Sequence, residues 1–343
     1  MRPDSEDDLA AMIRAASGPL RVTGGGTRSR PAAGEVLDLR GLAGITLYEP
    51  EALTLIARAG TPLAEVEAAL AAEGQMLAFE PDPRPGSTIG GVAATNASGP
   101  RRLSAGACRD AMLGVRFVTG TGEIVRNGGR VMKNVTGYDL VKLLAGSRGT
   151  LGAITEVALK TAPIPPVRVT LRLDGLDDAR TMAAMMAALS GPYDVTGAGR
   201  LPEGGVVLRL EGLPGSVESR AKALSAALKP YGHAEIVQGD ADFATLRDFA
   251  MAAQGPLWRI VLRPSQAEAM LAQLPGRHAV DWGGALIWAE APPDWHPALR
   301  PGARASRVIG APAMLPEPDA VTARLTAGLR AKFDPRGIFG GQA

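Results

Sequence analysis

The residues of this 343-residue chain best suited to chemistry are small and lie in three loops: TGGGTRSR (Thr23 to Arg30), GSTIGG (Gly86 to Gly91) and GSRGTLGAIT (Gly146 to Thr155). Glycine admits positive φ and lets a ligand approach exposed N–H groups, while Ser87 and Thr88 add hydroxyl donors. A run of such N–H groups makes a concave anion site, and a helix started by VAATNAS (Val92 to Ser98) would add positive dipole character. The chemistry implied is phosphate held on backbone. Each loop taken alone is equally well a turn. Together, each beside a regular element, they can line one long pocket. Neither a P-loop pattern nor G-x-G-x-x-G with an acid about 20 residues on is satisfied at the first loop, so no P-loop or Rossmann site is supported.

Other reactive groups are sparse. Cys108 is the only cysteine, which excludes an internal disulfide and the spacing of an iron–sulfur or zinc site; a lone buried Cys reads as an apolar filler. His233, His278 and His296 follow no H-x-x-H or H-E-x-x-H pattern, so packing or solvent roles are expected and no metal site. Arg101 and Arg102 could neutralise phosphate, hold a carboxylate, pair across a subunit interface or stay solvated. A formal net charge of +2 argues against a nucleic-acid surface. The acidic N-terminus lacks an apolar h-region, and no stretch approaches the roughly 18 apolar residues needed to span a bilayer. A cytoplasmic protein is expected, attached to a membrane only through partners.

The elements that must position the loops can be read in order. A helix capped by Ser5, with Asp8 completing a capping box and Gly18 as the stop, precedes strands at LRVT, VLDL and LTLIARA. Thr61 caps the next helix, LAEVEAALAAE, with Pro62 in its first turn and Gly74 as its stop. LGVRFVTG and EIVRNGG form a hairpin turning at Thr121-Gly122, GYDLVKLL a helix, and TEVALKTA a strand. The prolines of TAPIPP mark a hinge. Beyond it strands and helices alternate from VRVTLRL to ALIWAEA, which fits antiparallel strands with helices on one face. Met182, Met185 and Met186, at helical spacing, read as core, as do Trp258, Trp282, Trp288 and Trp295. The last helix, AVTARLTAGLRAKF, ends before Asp334-Pro335.

GGGT, PGSTIGGVAATNASGPRR and RDAMLGVRFVTG through KNVTGYDLVKLLAGSRGTLGAITEVALK, with FDPRGIFG near the C-terminus, carry a resemblance. The chain resembles PCMH-type (vanillyl-alcohol-oxidase-like) FAD-binding proteins, and among them the FAD-binding subunits of bacterial glycolate oxidases. The resemblance implies an α+β fold: a two-subdomain FAD-binding domain over residues 1–165, a smaller α+β cap with an antiparallel sheet over 166–312, and a C-terminal helix and tail (313–343) returning to the first domain. It implies that Gly24, Gly25, Gly26 and Thr27 meet the FAD diphosphate through backbone N–H. Ser87, Thr88, Gly90, Gly91, Thr95, Ser98 and Gly99 would continue along diphosphate and ribityl, with Arg102, Gly149 and Gly152 nearby and Ile154 offering backbone to the adenine or flavin side. Lys133, Asn134 and Tyr138 could face the isoalloxazine or shape the packing beneath it. Relatives that link flavin covalently often place a His in the first loop; GGGTRSR has none, so FAD is expected to be non-covalent. D-lactate-oxidising relatives carry a His-rich motif without counterpart here. That departure points to a substrate-oxidising site on a homologous partner subunit. The resemblance implies oxidation of glycolate to glyoxylate, or of D-lactate, in a complex with a homologous FAD-containing catalytic subunit and an iron–sulfur subunit; the residues alone also leave open a stand-alone FAD-linked dehydrogenase of a hydroxy acid or sugar acid, and a non-catalytic flavin-carrying or assembly subunit.

Overall fold

The computed structural model describes residues 1–28, 33–129, 137–310 and 318–339. It divides into two units. The first comprises Met1–Ser98, Gly106–Ile164 and the described residues from Pro318; the second comprises Gly99–Ala105 and the described residues from Pro165.

The first unit opens with α1 (Glu6–Ala15), whose cap Ser5 accepts the Asp8 N–H at 3.1 Å. Asp8 reaches back to the Asp4 N–H rather than to Ser5, and the helix ends at Ala15, before Gly18. Leu9 and Ile13, four residues apart, bury one face of α1 against Leu20, Leu37 and the tail residues Ile338 and Phe339. β1 (Leu20–Thr23) and β2 (Glu35–Asp38) pair in parallel beside it. There follow β3 (Ile45–Glu49), β4 (Thr54–Arg58), α2 (Leu63–Ala72), β5 (Gln75–Met76) and α3 (Ile89–Thr95). After α4 (Arg102–Ala105), which belongs to the second unit, come α5 (Cys108–Ala111), β6 (Met112–Val118), β7 (Ile124–Gly128), α6 (Leu140–Leu144), β8 (Ala153–Lys160) and β9 (Ala162–Pro163).

An antiparallel sheet of order β3-β4-β8-β6-β7 forms the centre of this unit. Alternate residues Leu55, Ala57, Val115, Phe117, Val157 and Leu159 share a core with Val66 of α2, Ile89 of α3 and Leu144 of α6. The β6–β7 hairpin turns at Thr121-Gly122, with Gly122 at φ +79 and its N–H bonded to Thr119 O. Thr61 does not cap α2: its hydroxyl donates to Arg58 O (2.6 Å) and Gly44 O (3.1 Å), so it ties two loops instead and the cap position falls to Pro62.

The second unit contains β10 (Val167–Leu173), α7 (Asp178–Ser190), β11 (Gly197–Arg200), β12 (Val206–Gly212), α8 (Pro214–Ala227) and β13 (Glu235–Gln238). α9 (Ala241–Asp248), β14 (Leu257–Val261), α10 (Ala267–Leu271), β15 (His278–Asp281), β16 (Leu286–Glu290) and β17 (Arg304–Ile309) complete it. Its eight strands form one antiparallel sheet of order β13-β10-β12-β11-β15-β16-β14-β17. α7, α8 and α10 bury Met185, Leu224 and Leu271 with Leu208, Trp258 and Val280 on one face. The expectation of helices on a single face is corrected by α9. Its Phe243 and Leu246 pack on Val207, Leu257 and Ala279, each the neighbour in sequence of a strand residue in the first core, and so on the opposite face. Met186 is corrected too: it is 45% exposed, while Met182 and Met185 are buried. The chain closes with α11 (Ala320–Phe333) in the first unit, where Phe333 meets Phe117 at 5.9 Å between ring centroids. Asp334 then caps the N–H groups of Ile338 (3.0 Å) and Phe339 (2.8 Å), and Arg336 donates to Ile13 O at the end of α1.

Candidate functional site

The first unit brings its glycine loops together. Directly after β1, the N–H groups of Gly24, Gly25, Gly26 and Thr27 donate to no group among the described residues. Two of these glycines are required by packing: a Cβ on Gly24 would overlap the Thr88 hydroxyl, and one on Gly25 the Gly86 carbonyl oxygen. Loop one therefore lies directly on loop two. Gly26 differs, with φ +71 and open space where a Cβ would stand. Gly24, Gly25 and Thr27 are half-buried and Gly26 is exposed, so these four N–H groups are open to a ligand, and a run of such donors has the character of an anion site.

Most donors of loop two are already used. Ile89 N–H bonds to Thr61 O, Gly90 N–H to Ala59 O (both 2.9 Å) and Gly91 N–H to the capping hydroxyl of Thr88 (3.2 Å). Gly90 is small because a Cβ would strike Ala59. The N–H groups of Gly86, at φ +76, and of Thr88 have no acceptor among the described residues. The Thr95 hydroxyl donates to Gly91 O (2.7 Å), and the Ser98 hydroxyl accepts Cys108 N–H (3.0 Å) and donates to Asn96 O (3.2 Å). These side chains stabilise the loop rather than offering free hydroxyls. The Ser87 hydroxyl accepts from Arg28 Nε at 3.1 Å.

Loop three is docked on the end of α3. Gly146 N–H bonds to Ala93 O (3.1 Å) and Arg148 N–H to Ala94 O (2.8 Å), while Ser147 and Thr150 N–H close local turns. Gly149 sits at φ +80, a Cβ on Gly152 would meet Phe117, and Ile154 is buried in β8 opposite Phe117. Tyr138 is 89% exposed, and its carbonyl accepts from Asn127 Nδ2 at 3.1 Å. Lys133 and Asn134 lie outside the described residues.

An ionic cluster stands behind the first two loops. The Arg28 guanidinium pairs with one carboxylate oxygen of Asp82 and donates to its carbonyl (2.6 Å). Arg84 pairs with the other carboxylate oxygen and donates to Thr27 O at 2.9 Å. Burial opposes charge on Asp82, but the two guanidiniums outweigh it and hold its carboxyl below the usual range. Burial likewise pushes Arg28 down against the pull of Asp82. This cluster is not apparent from the sequence. Its only signal was a cation ending one glycine loop and an acid in DPRP preceding the next.

The remaining candidates are occupied elsewhere. Gly99 and Arg102 lie in the second unit, where Trp282 Nε1 donates to Gly99 O (3.0 Å) and Arg102 sits 4.5 Å over the Trp282 ring. Arg101 is buried there in a bidentate pair with Glu211 at 3.0 and 2.5 Å. Burial drives the Cys108 thiol up to about 12, so it is no thiolate nucleophile for flavin. His278 lies between Arg200 and Gly276 O, His296 meets the Trp258 ring, and His233 is exposed. Among the described residues no cluster of three or more His, Cys, Asp or Glu could hold a metal, and no helix is long and apolar enough to cross a membrane.

Six N–H groups with no acceptor among the described residues, on two touching loops beside a cluster with more cation than anion, suit a diphosphate. FAD fits this donor set. The comparisons agree. Residues 1–128 match the FAD binding domain family. The glycolate oxidase subunit GlcE of Escherichia coli (strain K12) is 37% identical over 334 residues, covering 94% of this chain and 91% of that protein. The glycolate oxidase subunit GlcD of Bacillus subtilis (strain 168) is 32% identical over 177 residues, covering 49% of this chain and 38% of its own length. A solved structure of alkyldihydroxyacetonephosphate synthase superposes with a TM-score of 0.70 at 16% identity, covering 98% of this chain and 74% of that one. At that identity the likeness speaks to fold alone.

Proposed function

The chain belongs to the GlcE family of FAD-binding oxidoreductase subunits, with a PCMH-type (vanillyl-alcohol-oxidase-like) FAD-binding domain followed by a smaller α+β domain, and from this we propose that it is the FAD-carrying subunit of a complex oxidising glycolate, or a close 2-hydroxy acid such as D-lactate. The observation that carries the proposal is the set of N–H groups on Gly24 to Thr27, Gly86 and Thr88 that have no acceptor among the described residues. These donors hold the diphosphate, Gly26 keeps the approach clear, and the buried, protonated Cys108 leaves the cofactor non-covalent. When bound, FAD supplies the hydride acceptor for oxidising glycolate to glyoxylate and the relay toward an iron–sulfur partner.

Proton abstraction from the substrate hydroxyl needs a base. The chain has three histidines, and none of them pairs with a carboxylate among the described residues. This supports a base on a homologous FAD-containing catalytic subunit, a partner class with precedent in the similarity to GlcD. The purified chain is therefore expected to show a flavin spectrum and to stay oxidised with glycolate under anaerobic conditions until such a subunit is added. Bleaching of the flavin by glycolate in the isolated chain would place the base here instead.

A further inference from the structure

The contacts of Gly24 and Gly25 already bring the two loops together, so the ionic cluster behind them calls for its own explanation. Arg28 and Asp82 have side chains only 8% and 13% exposed, and Arg84 is 29% exposed. The charged groups acting on Asp82 are Arg28 and Arg84; those acting on Arg28 are Asp82 and Arg84, the buried Cys108 thiol beside it being neutral. Two guanidiniums thus share one carboxylate, leaving one formal positive charge. A clamp alone needs only one cation per anion, and the surplus positive charge beside the largely buried Arg28 and Asp82 is costly unless a further anion balances it.

Both arginines reach a loop. Arg84 holds the carbonyl of Thr27, whose own N–H is unspent, and Arg28 holds the hydroxyl of Ser87, between the unspent N–H groups of Gly86 and Thr88. Resting on the FAD reading above, we propose that Arg28, Asp82 and Arg84 are positioning residues of the diphosphate site: they orient the N–H groups of both loops, and their residual positive charge is balanced by the diphosphate. They act through Thr27 and Ser87 and by their field, without needing direct contact with the cofactor.

The test is titration of the full-length apo chain with FAD and with ADP, at low and high salt, for the wild type, R84M, R84K and D82N. R84M is expected to weaken both ligands about tenfold, the scale of one partly buried charge interaction. It is also expected to flatten the salt dependence of ADP binding, which loss of packing alone would not change. R84K, keeping the charge, should recover most of the ADP affinity. D82N adds net positive charge but breaks the clamp, and weaker FAD binding is expected because orientation is lost. Wild-type affinity and salt dependence in R84M would overturn the proposal, as would equal losses in R84M and R84K with unchanged salt dependence. If R84M fails to fold, R84K and D82N decide: ADP affinity near wild type in R84K with a loss in D82N supports the proposal, and the reverse sinks it. A wild-type chain that binds neither FAD nor ADP would instead refute the FAD reading itself.

Discussion

The first and third glycine loops are near twins in composition and opposites in what they do with their backbone. In Gly24 to Thr27 four N–H groups are left without acceptors among the described residues, and the glycines let one loop lie on another. In Gly146 to Thr150 four N–H groups are used, two of them on the last turn of α3. Glycine content alone therefore does not separate a binding loop from a structural one. The fate of the donors does, because a hydrogen bond spent inside the fold is no longer available to a ligand.

That contrast can be attacked at its foundations. Removing the carboxylate beneath loop one with D82N leaves the largely buried Arg28 guanidinium unpaired beside the half-buried Arg84 and is expected to cost about 3 kcal/mol of stability at neutral pH, measured by urea unfolding. Because the Asp82 pKa is lowered in the fold, its contribution is complete above the unfolded Asp value of about 3.9 and is lost as pH falls through the folded value. The gap between wild type and D82N should thus shrink in unfolding titrations carried toward pH 3, and a gap constant with pH would contradict the ionic account. Next in size, G25A forces a methyl group into the Gly86 carbonyl and should cost about 2–3 kcal/mol with loss of retained FAD.

Two milder changes sharpen the comparison. G26A and G146A each place an alanine at positive φ, +71 and +86, and each should cost about 1 kcal/mol in thermal unfolding. Only G26A should also lower FAD retention; equal retention in the two variants would erase the distinction between the loops. The smallest effect is expected at Cys108, which should remain unmodified by iodoacetamide at pH 8 in the native protein and react once unfolded.

Much of the architecture was legible from local pattern. The β6–β7 hairpin, the long helices α7, α8 and α11, and the alternation of strands and helices after TAPIPP follow from turn residues and periodicity. What escaped was set by distant partners. β11 reads GAGR, and its glycines make sense only because Phe243 and Leu246 pack where side chains would stand on Gly197 and Gly199. β3 and β17 expose alternate or charged residues and lack a clean apolar rhythm. Thr61 looked like a cap because its neighbours suit a helix start, but carbonyls at Gly44 and Arg58 take its hydroxyl. At the site, the loops were visible as glycine runs. The Arg28–Asp82 pair spans 54 residues of sequence, and no local rule joins its members. The division of Gly99–Ala105 from the loop before it is likewise a tertiary fact, fixed by Glu211 and Trp282 far along the chain.

The most direct test of the central claim is reconstitution of the purified full-length chain with FAD, followed by gel filtration and an absorption spectrum before and after acid precipitation. Close to one flavin per chain is expected after filtration, released entirely into the supernatant by acid. A chain that emerges colourless, or flavin that stays with the precipitated protein, would contradict that claim.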